Sequence, residues 1–259
     1  MSSTSNNSKP DGNIPSGLPL LYSKPTVLSI DRHANASISY SPNYSFASNT
    51  NSIALNTVEF IHASKSYPIV FTNHKDSLPV AIVGLEQKNY FVRPDNSWQE
   101  NSYIPAYIRQ YPFIFYEDAR EKKIYLCVDE AAQHFNNIKV SGGNRLYGDD
   151  GKPTEFTSSA LKFCTEFYQQ HLITRNFCAD LQEHKLLQPY TSEVVLSSGK
   201  KAQLSGFLMI DEKAVNALSN KAFLALRDKG WIPYIYLAIA STTNWNNLVF
   251  MESKADKNT

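Results

Sequence analysis

His74 and Asp76 stand one residue apart in His-Lys-Asp, the spacing that supplies two ligands of a 2-His-1-carboxylate iron site. His134, His171 or His184 would have to supply the third. The run 73–77 is also the composition of a polar hairpin turn, since Asn, Asp and Ser bond their own backbone there. The turn is the stronger reading, so no metal or other cofactor is expected. Cys164 and His134 are the residue types of a thiol nucleophile and its base, but no local motif joins them and Cys164 falls on an apolar helical stripe. Ser241 closes Ala-Ile-Ala-Ser, which is not the Gly-x-Ser-x-Gly elbow of a hydrolase. Asp211 and Glu212 could serve acid–base work, yet they head a helical segment and suit an N-cap with an acidic first turn. The glycine-bearing turns at 141–144 and 148–152 lack phosphate-loop and dinucleotide spacing.

No catalytic set is assembled, and the best chemistry left is recognition. Trp98, Tyr103, Tyr107, Arg109 and Tyr111 bring aromatic area and a guanidinium fork into 14 residues. That combination suits a peptide or protein partner; the competing reading is a core aromatic layer with Arg109 neutralised by a carboxylate.

The elements that must hold these residues read as α+β, in one mixed domain of antiparallel hairpins with a helical segment in the second half. Short β-branched and aromatic runs predict strands over 26–30, 37–40, 67–72, 80–85, 113–116 and 124–129, and further buried strands over 89–92 and 103–113. Residues 58–63 predict a short helix. Apolar residues at helical spacing predict two helices, 158–171 and 174–185, with Pro189 as a stop. A hairpin follows at 192–197 and 201–210, turning at Ser198 and Gly199. Helices are then predicted over 212–218 and 220–229, the second capped by Asn220 and closed by Gly230. The aromatic and β-branched content of 231–240 favours a strand, followed by a final helix to about residue 250. Residues 1–24 read as a disordered leader, 25–252 as the domain and 253–259 as a flexible tail.

Composition narrows the partners. The 259 residues, 42% hydrophobic, are enough for a substantial core. With 25 Lys plus Arg against 24 Asp plus Glu there is no overall basic footprint, so nucleic acid is not an expected partner. Cys127, Cys164 and Cys178 are an odd count without metal or redox spacing, which suits free buried thiols. The start lacks a secretory pattern, and the apolar run 232–240 is about half a membrane span. A soluble, cytoplasmic chain is expected.

Several runs together resemble the SapC family of bacterial proteins, known from a surface-layer locus. They are Tyr67-Pro-Ile-Val-Phe71, Pro79-Val-Ala-Ile-Val-Gly84, Trp98, Tyr103-Ile-Pro105 and Arg109-Gln-Tyr-Pro-Phe113. Further on come Leu146-Tyr-Gly148, Gly151-Lys-Pro153, Leu186-Leu-Gln-Pro189, Leu204-Ser-Gly206, Asp211-Glu212, Gly230 and Tyr236-Leu-Ala-Ile-Ala-Ser241. They span residues 66–248 in the expected order. The departures are a longer Ser/Asn-rich leader and Arg109-Gln110 where the family has paired arginines. The resemblance implies an accessory protein of surface-layer or envelope biogenesis that engages a peptide or protein, and it carries over no catalytic residue. The alternative is a peptide-modifying enzyme or enzyme subunit, with iron held through His74 and Asp76.

Overall fold

A computed structural model of the chain describes residues 18–39, 42–118, 122–137, 143–195, 199 and 201–255. The elements begin with strand β1 (Pro25–Val27), helix α1 (Ile30–His33), β2 (Ser37–Ile38), β3 (Ser52–Ala54), α2 (Phe60–Ala63), β4 (Ile69–Thr72) and β5 (Pro79–Ile82). Next come α3 (Ala106–Arg109), β6 (Phe113–Asp118), β7 (Lys123–Asp129), β8 (Phe135–Asn136), β9 (Asn144–Arg145) and α4 (Glu155–Glu183). The last are β10 (Leu187–Val195), β11 (Lys201–Ile210), α5 (Glu212–Asn216), α6 (Asn220–Asp228), α7 (Ile232–Ser241) and α8 (Trp245–Ala255). The fold is α+β with antiparallel sheets, as the segment pattern predicts. Contacts divide the chain into two compact units, one from residues up to 41 plus 110–165, the other from 42–109 plus 166 onward.

In the smaller unit, β1, β7 and β6 form one antiparallel sheet and β8, β2 and β9 another. The predicted hairpin at 113–129 pairs Phe113 with Val128 and Phe115 with Leu126. Ala36, Ile38, Phe113, Val128, Leu146 and Cys164 meet in its core. Of the expected leader, residues 1–17 lie outside the described residues. Its last residues are held: Tyr22 is buried and donates its hydroxyl hydrogen to the Phe113 carbonyl at 2.7 Å. The amides of Ser23 and Lys24 donate to the Asp129 carboxylate at 2.9 and 2.7 Å.

In the larger unit the strand order is β10-β11-β4-β5-β3, antiparallel throughout. Period-2 alternation gives this sheet two faces. Ile53, Ile69, Phe71 and Ala81 are buried, whereas their neighbours Ser52, Thr72, Val80 and Ile82 are half-buried. Asp211 caps α5 by accepting from the Lys213 amide at 2.9 Å, and Gly230 ends α6 at φ +79°. Ser219, not Asn220, caps α6.

Four local expectations are corrected. The two predicted helices are one, α4, because no Gly or Pro separates 171 from 174. Thr174, the predicted start of the second helix, bonds back to the Gln170 carbonyl at 2.8 Å within the helix. Pro189 stops nothing; it lies in β10, an edge strand, where a residue without an N–H is tolerated. Residues 232–241 form a helix rather than a strand, with Pro near its start and Ile235, Ala238 and Ser241 buried at a spacing of three. Neither 89–92 nor 103–113 is a continuous strand. The first contributes one bridge, Val92 to Trp98, and the second contains α3. Most of the predicted turn at Ser198-Gly199 and the end of the tail, 256–259, lie outside the described residues; α8 itself continues through Ala255.

Candidate recognition site

A 3-10 turn at Thr57–Glu59 leads directly into α2. Asn56 opens it with half of a capping box: the Glu59 carboxylate reaches back to accept from the Asn56 amide at 2.8 Å. Glu59 is only 3% exposed, and its other oxygen accepts from the Ala106 amide at 2.7 Å and from the Tyr103 hydroxyl at 3.1 Å. One buried carboxylate therefore ties the start of α2 to the start of α3. Burial raises its pKa, against the lowering effect of those three donors and of the Arg109 charge.

Tyr103 and Arg109 lie above this carboxylate. Arg109 donates from Nη2 to the Tyr103 hydroxyl and from Nε to the Ile104 carbonyl, each at 3.1 Å. Its guanidinium carbon is 5.7 Å from the Tyr103 ring centre, within cation–π range. The His62 ring stacks on Tyr103 with centroids 5.5 Å apart. Burial and the Glu59 charge push the Tyr103 hydroxyl up to about 12, so it is a neutral donor at any physiological pH. The turn also presents two large apolar side chains to solvent, Val58 at 48% and Ile61 at 54% exposure. Val58, Ile61 and His62 fall at helical i, i+3, i+4 spacing and share a face. The result is an exposed patch of apolar, aromatic and cationic groups over a buried carboxyl group.

The other aromatic residues of the sequence-derived cluster lie elsewhere. Trp98 is buried at 6% exposure and donates its indole N–H to the Tyr67 hydroxyl at 3.1 Å. Tyr67, fully buried, passes its own hydroxyl hydrogen to the Tyr103 carbonyl, so Trp98 supports Tyr103 from behind. Tyr107 is buried against the Phe167 ring at 6.2 Å, and burial raises its hydroxyl pKa. Tyr111 belongs to the smaller unit, packed on Tyr22 at 5.3 Å with its hydroxyl 3.4 Å from Asp129. Tyr103 and Arg109 are thus brought together on a surface, and Trp98 and Tyr107 stand in the core. Sequence reasoning passed over Glu59 and its neighbours Val58, Ile61 and His62. The Asn56-x-x-Glu59 box was the available signal, but it marks a helix start and not a binding surface.

The catalytic alternatives find other employment in the structure. His74 and Asp76 are exposed, and Asp76 pairs with Arg175 at 3.4 Å. No group of three or more His, Cys, Asp or Glu side chains able to hold a metal ion occurs among the described residues. The three cysteines are buried free thiols pushed up to about 12 by burial, unsuited to nucleophilic attack. Ser241 Oγ donates to the Ala238 carbonyl at 2.6 Å and accepts from the Ile69 amide at 2.9 Å, joining α7 to β4.

These features define an α+β protein whose polar groups converge on a surface patch. The SapC family model matches residues 28–248, and the chain belongs to that family. No curated protein and no solved structure is significantly similar to it. Among the described residues no helix is long and apolar enough to cross a membrane.

Proposed function

We propose that this SapC-family chain is a non-enzymatic accessory protein that engages a peptide or protein partner through the patch of Val58, Ile61, His62, Tyr103 and Arg109. The observation that carries this reading is the pair of exposed apolar side chains beside an arginine and a tyrosine held in position by a buried carboxylate. Apolar anchors next to an oriented guanidinium are the composition of interface hot spots. The pre-positioning of Arg109 and Tyr103 lowers the ordering cost of association. The resemblance to the SapC family, named from a surface-layer locus, supports a partner in surface-layer or envelope biogenesis.

The test is site-specific photocrosslinking in the native cell, with a benzophenone amino acid at Ile61 and, for comparison, at the exposed Phe250. A discrete adduct from position 61, absent from position 250 and lost on Arg109→Ala, is the expected result. Equal adducts from both positions, or an adduct at 61 indifferent to Arg109→Ala, sink the proposal.

A further inference from the structure

The half-buried face of the five-stranded sheet carries a second feature, unrelated to the patch above. β11 pairs with β4 through Phe207 opposite Thr72 and Leu208 opposite Phe71. Immediately before this pairing β11 is irregular: its register against β10 shifts between Tyr190 opposite Phe207 and Ser192 opposite Leu204. Ser205 and Gly206 therefore face a single residue of β10, which is a β-bulge, and Gly206 takes φ +88° to make it. A Cβ at Gly206 would meet nothing within 4 Å, so glycine is needed for the backbone angle alone. Beyond the bulge a cleft of about 260 Å³ lies between 203–206 of β11 and the end of β4 with the following residues 73 and 74.

The lining of the cleft identifies the chemistry it suits. Its floor is Thr72, Val80 and Ile82, and its rim carries Asn51, Asn73, His74, Gln203 and Ser205. No Asp, Glu, Lys or Arg lines it among the described residues. At one end Trp245 lies nearly parallel to Phe207, with centroids 5.7 Å apart and planes at 21°, and Tyr190 stacks on Phe207 at 25°. The Trp245 indole N–H is buried and has no hydrogen-bond partner within the protein. A buried donor without a partner is costly, and such groups mark places where a ligand or water completes the bond. An aromatic edge with an unpaired N–H, together with amide, hydroxyl and imidazole groups of both donor and acceptor type and no carboxylate, ammonium or guanidinium, fits a neutral polyhydroxyl ring. Cations find no counter-charge there, and an anion would meet only the His74 imidazole. The volume lies just below the usual range for small-molecule sites, roughly 300–1,000 Å³, which limits the occupant to about one ring.

We propose that this cleft binds one uncharged sugar ring, a hydroxyl of which accepts the Trp245 indole N–H while the amide side chains of Asn73 and Gln203 hydrogen-bond the others. The test follows the indole N–H signals of the ¹⁵N-labelled full chain, with that of Trp245 assigned by its loss in Trp245→Phe. The probes are methyl α-D-glucopyranoside, methyl β-D-galactopyranoside and N-acetyl-D-glucosamine, with D-glucuronate as the anionic comparison. At least one neutral sugar should shift the Trp245 signal with millimolar saturation. The Trp98 and Trp231 signals, already bonded to Tyr67 and Asp180, should stay in place. Gln203→Ala and Asn73→Ala alter exposed side chains and should each weaken binding about 3–10-fold, the worth of one hydrogen bond, without changing thermal stability. A Trp245 signal unmoved by all three neutral sugars overturns the proposal, and so does tighter binding of D-glucuronate.

Discussion

At the scale of single residues, the aromatic–arginine cluster separates into two kinds of side chain. Arg109 is exposed and acts outward, whereas Trp98 is a buried strut behind Tyr103. Loss of partner capture therefore has a different meaning at each position. Trp98→Ala removes a ring packed on Phe91 and Tyr44 and also takes away the donor to Tyr67. Truncations of this kind cost about 3–5 kcal/mol. Arg109→Ala removes exposed contacts and should cost no more than about 0.5–1 kcal/mol. Urea unfolding monitored by circular dichroism distinguishes them: a large midpoint drop for Trp98→Ala beside a nearly unchanged one for Arg109→Ala. Equal drops would mean that Arg109 is a structural residue and that capture assays on it report folding. The sequence alone could not separate these roles, since both residues sit in one run of aromatic punctuation. Which ring turns inward is decided by Phe91 and by Tyr67, the latter 31 residues from Trp98 in the chain.

Elements were legible where local chemistry and tertiary packing agree. The antiparallel pairs β4-β5 and β6-β7, the Asp211 cap and the Gly230 stop rest on neighbours within a few residues, and each lies close to where the pattern puts it. Legibility failed where a residue type has two local uses. Thr174 stands at the start of the second predicted helix; in place its hydroxyl bonds back along α4 and also accepts from the Thr57 amide at 2.9 Å. Trp231 to Ala240 look like a strand by content, yet the burial of Ile235, Ala238 and Ser241 is helical. The Thr174 arrangement gives a matched pair of substitutions. Thr174→Val keeps the shape but leaves the buried Thr57 amide without its acceptor, at a cost of about 1–3 kcal/mol. Thr165→Val deletes only the analogous back-bond to Leu161, an exposed one, and should change stability by less than about 0.5 kcal/mol. Similar values for the two in urea unfolding would show that the bond to Thr57 contributes nothing.

For the molecule as a whole, the two units carry buried carboxylates of opposite pH sense. In the smaller unit Glu130 accepts from Lys24 at 2.9 Å and Arg32 at 2.8 Å, and the buried His33 ring lies 3.3 Å away. Burial pushes Glu130 up, but the hydrogen bonds and charges of Arg32 and Lys24 together outweigh it and hold the carboxyl down to about 2. A folded pKa below the unfolded value of about 4.3 gives stability that is present above that value and lost as pH falls through the folded one. In the larger unit the Glu59 pKa is raised, chiefly by burial. Its contribution is therefore full below the unfolded value and lost as pH rises through the folded one. Titrating groups away from the two carboxyls, His171 among them, cancel when each protein is compared with its own neutral variant. His33, by contrast, faces Glu130, and its titration changes with Glu130→Gln. Hydrogen-exchange protection in β7 and in β4 reads the two units separately. In β7, wild type should exceed Glu130→Gln by about 1–2 kcal/mol at pH 7, a figure reduced for the half-exposed Lys24 and Arg32, and the margin should shrink as pH falls below 4. In β4, the margin of wild type over Glu59→Gln should instead grow as pH falls from 7 toward 4. If both margins move the same way, Glu59 is held by its three donors more strongly than burial opposes it. The platform beneath Tyr103 and Arg109 would then be an anion stabilised in place, and acid would loosen the recognition patch instead of tightening it.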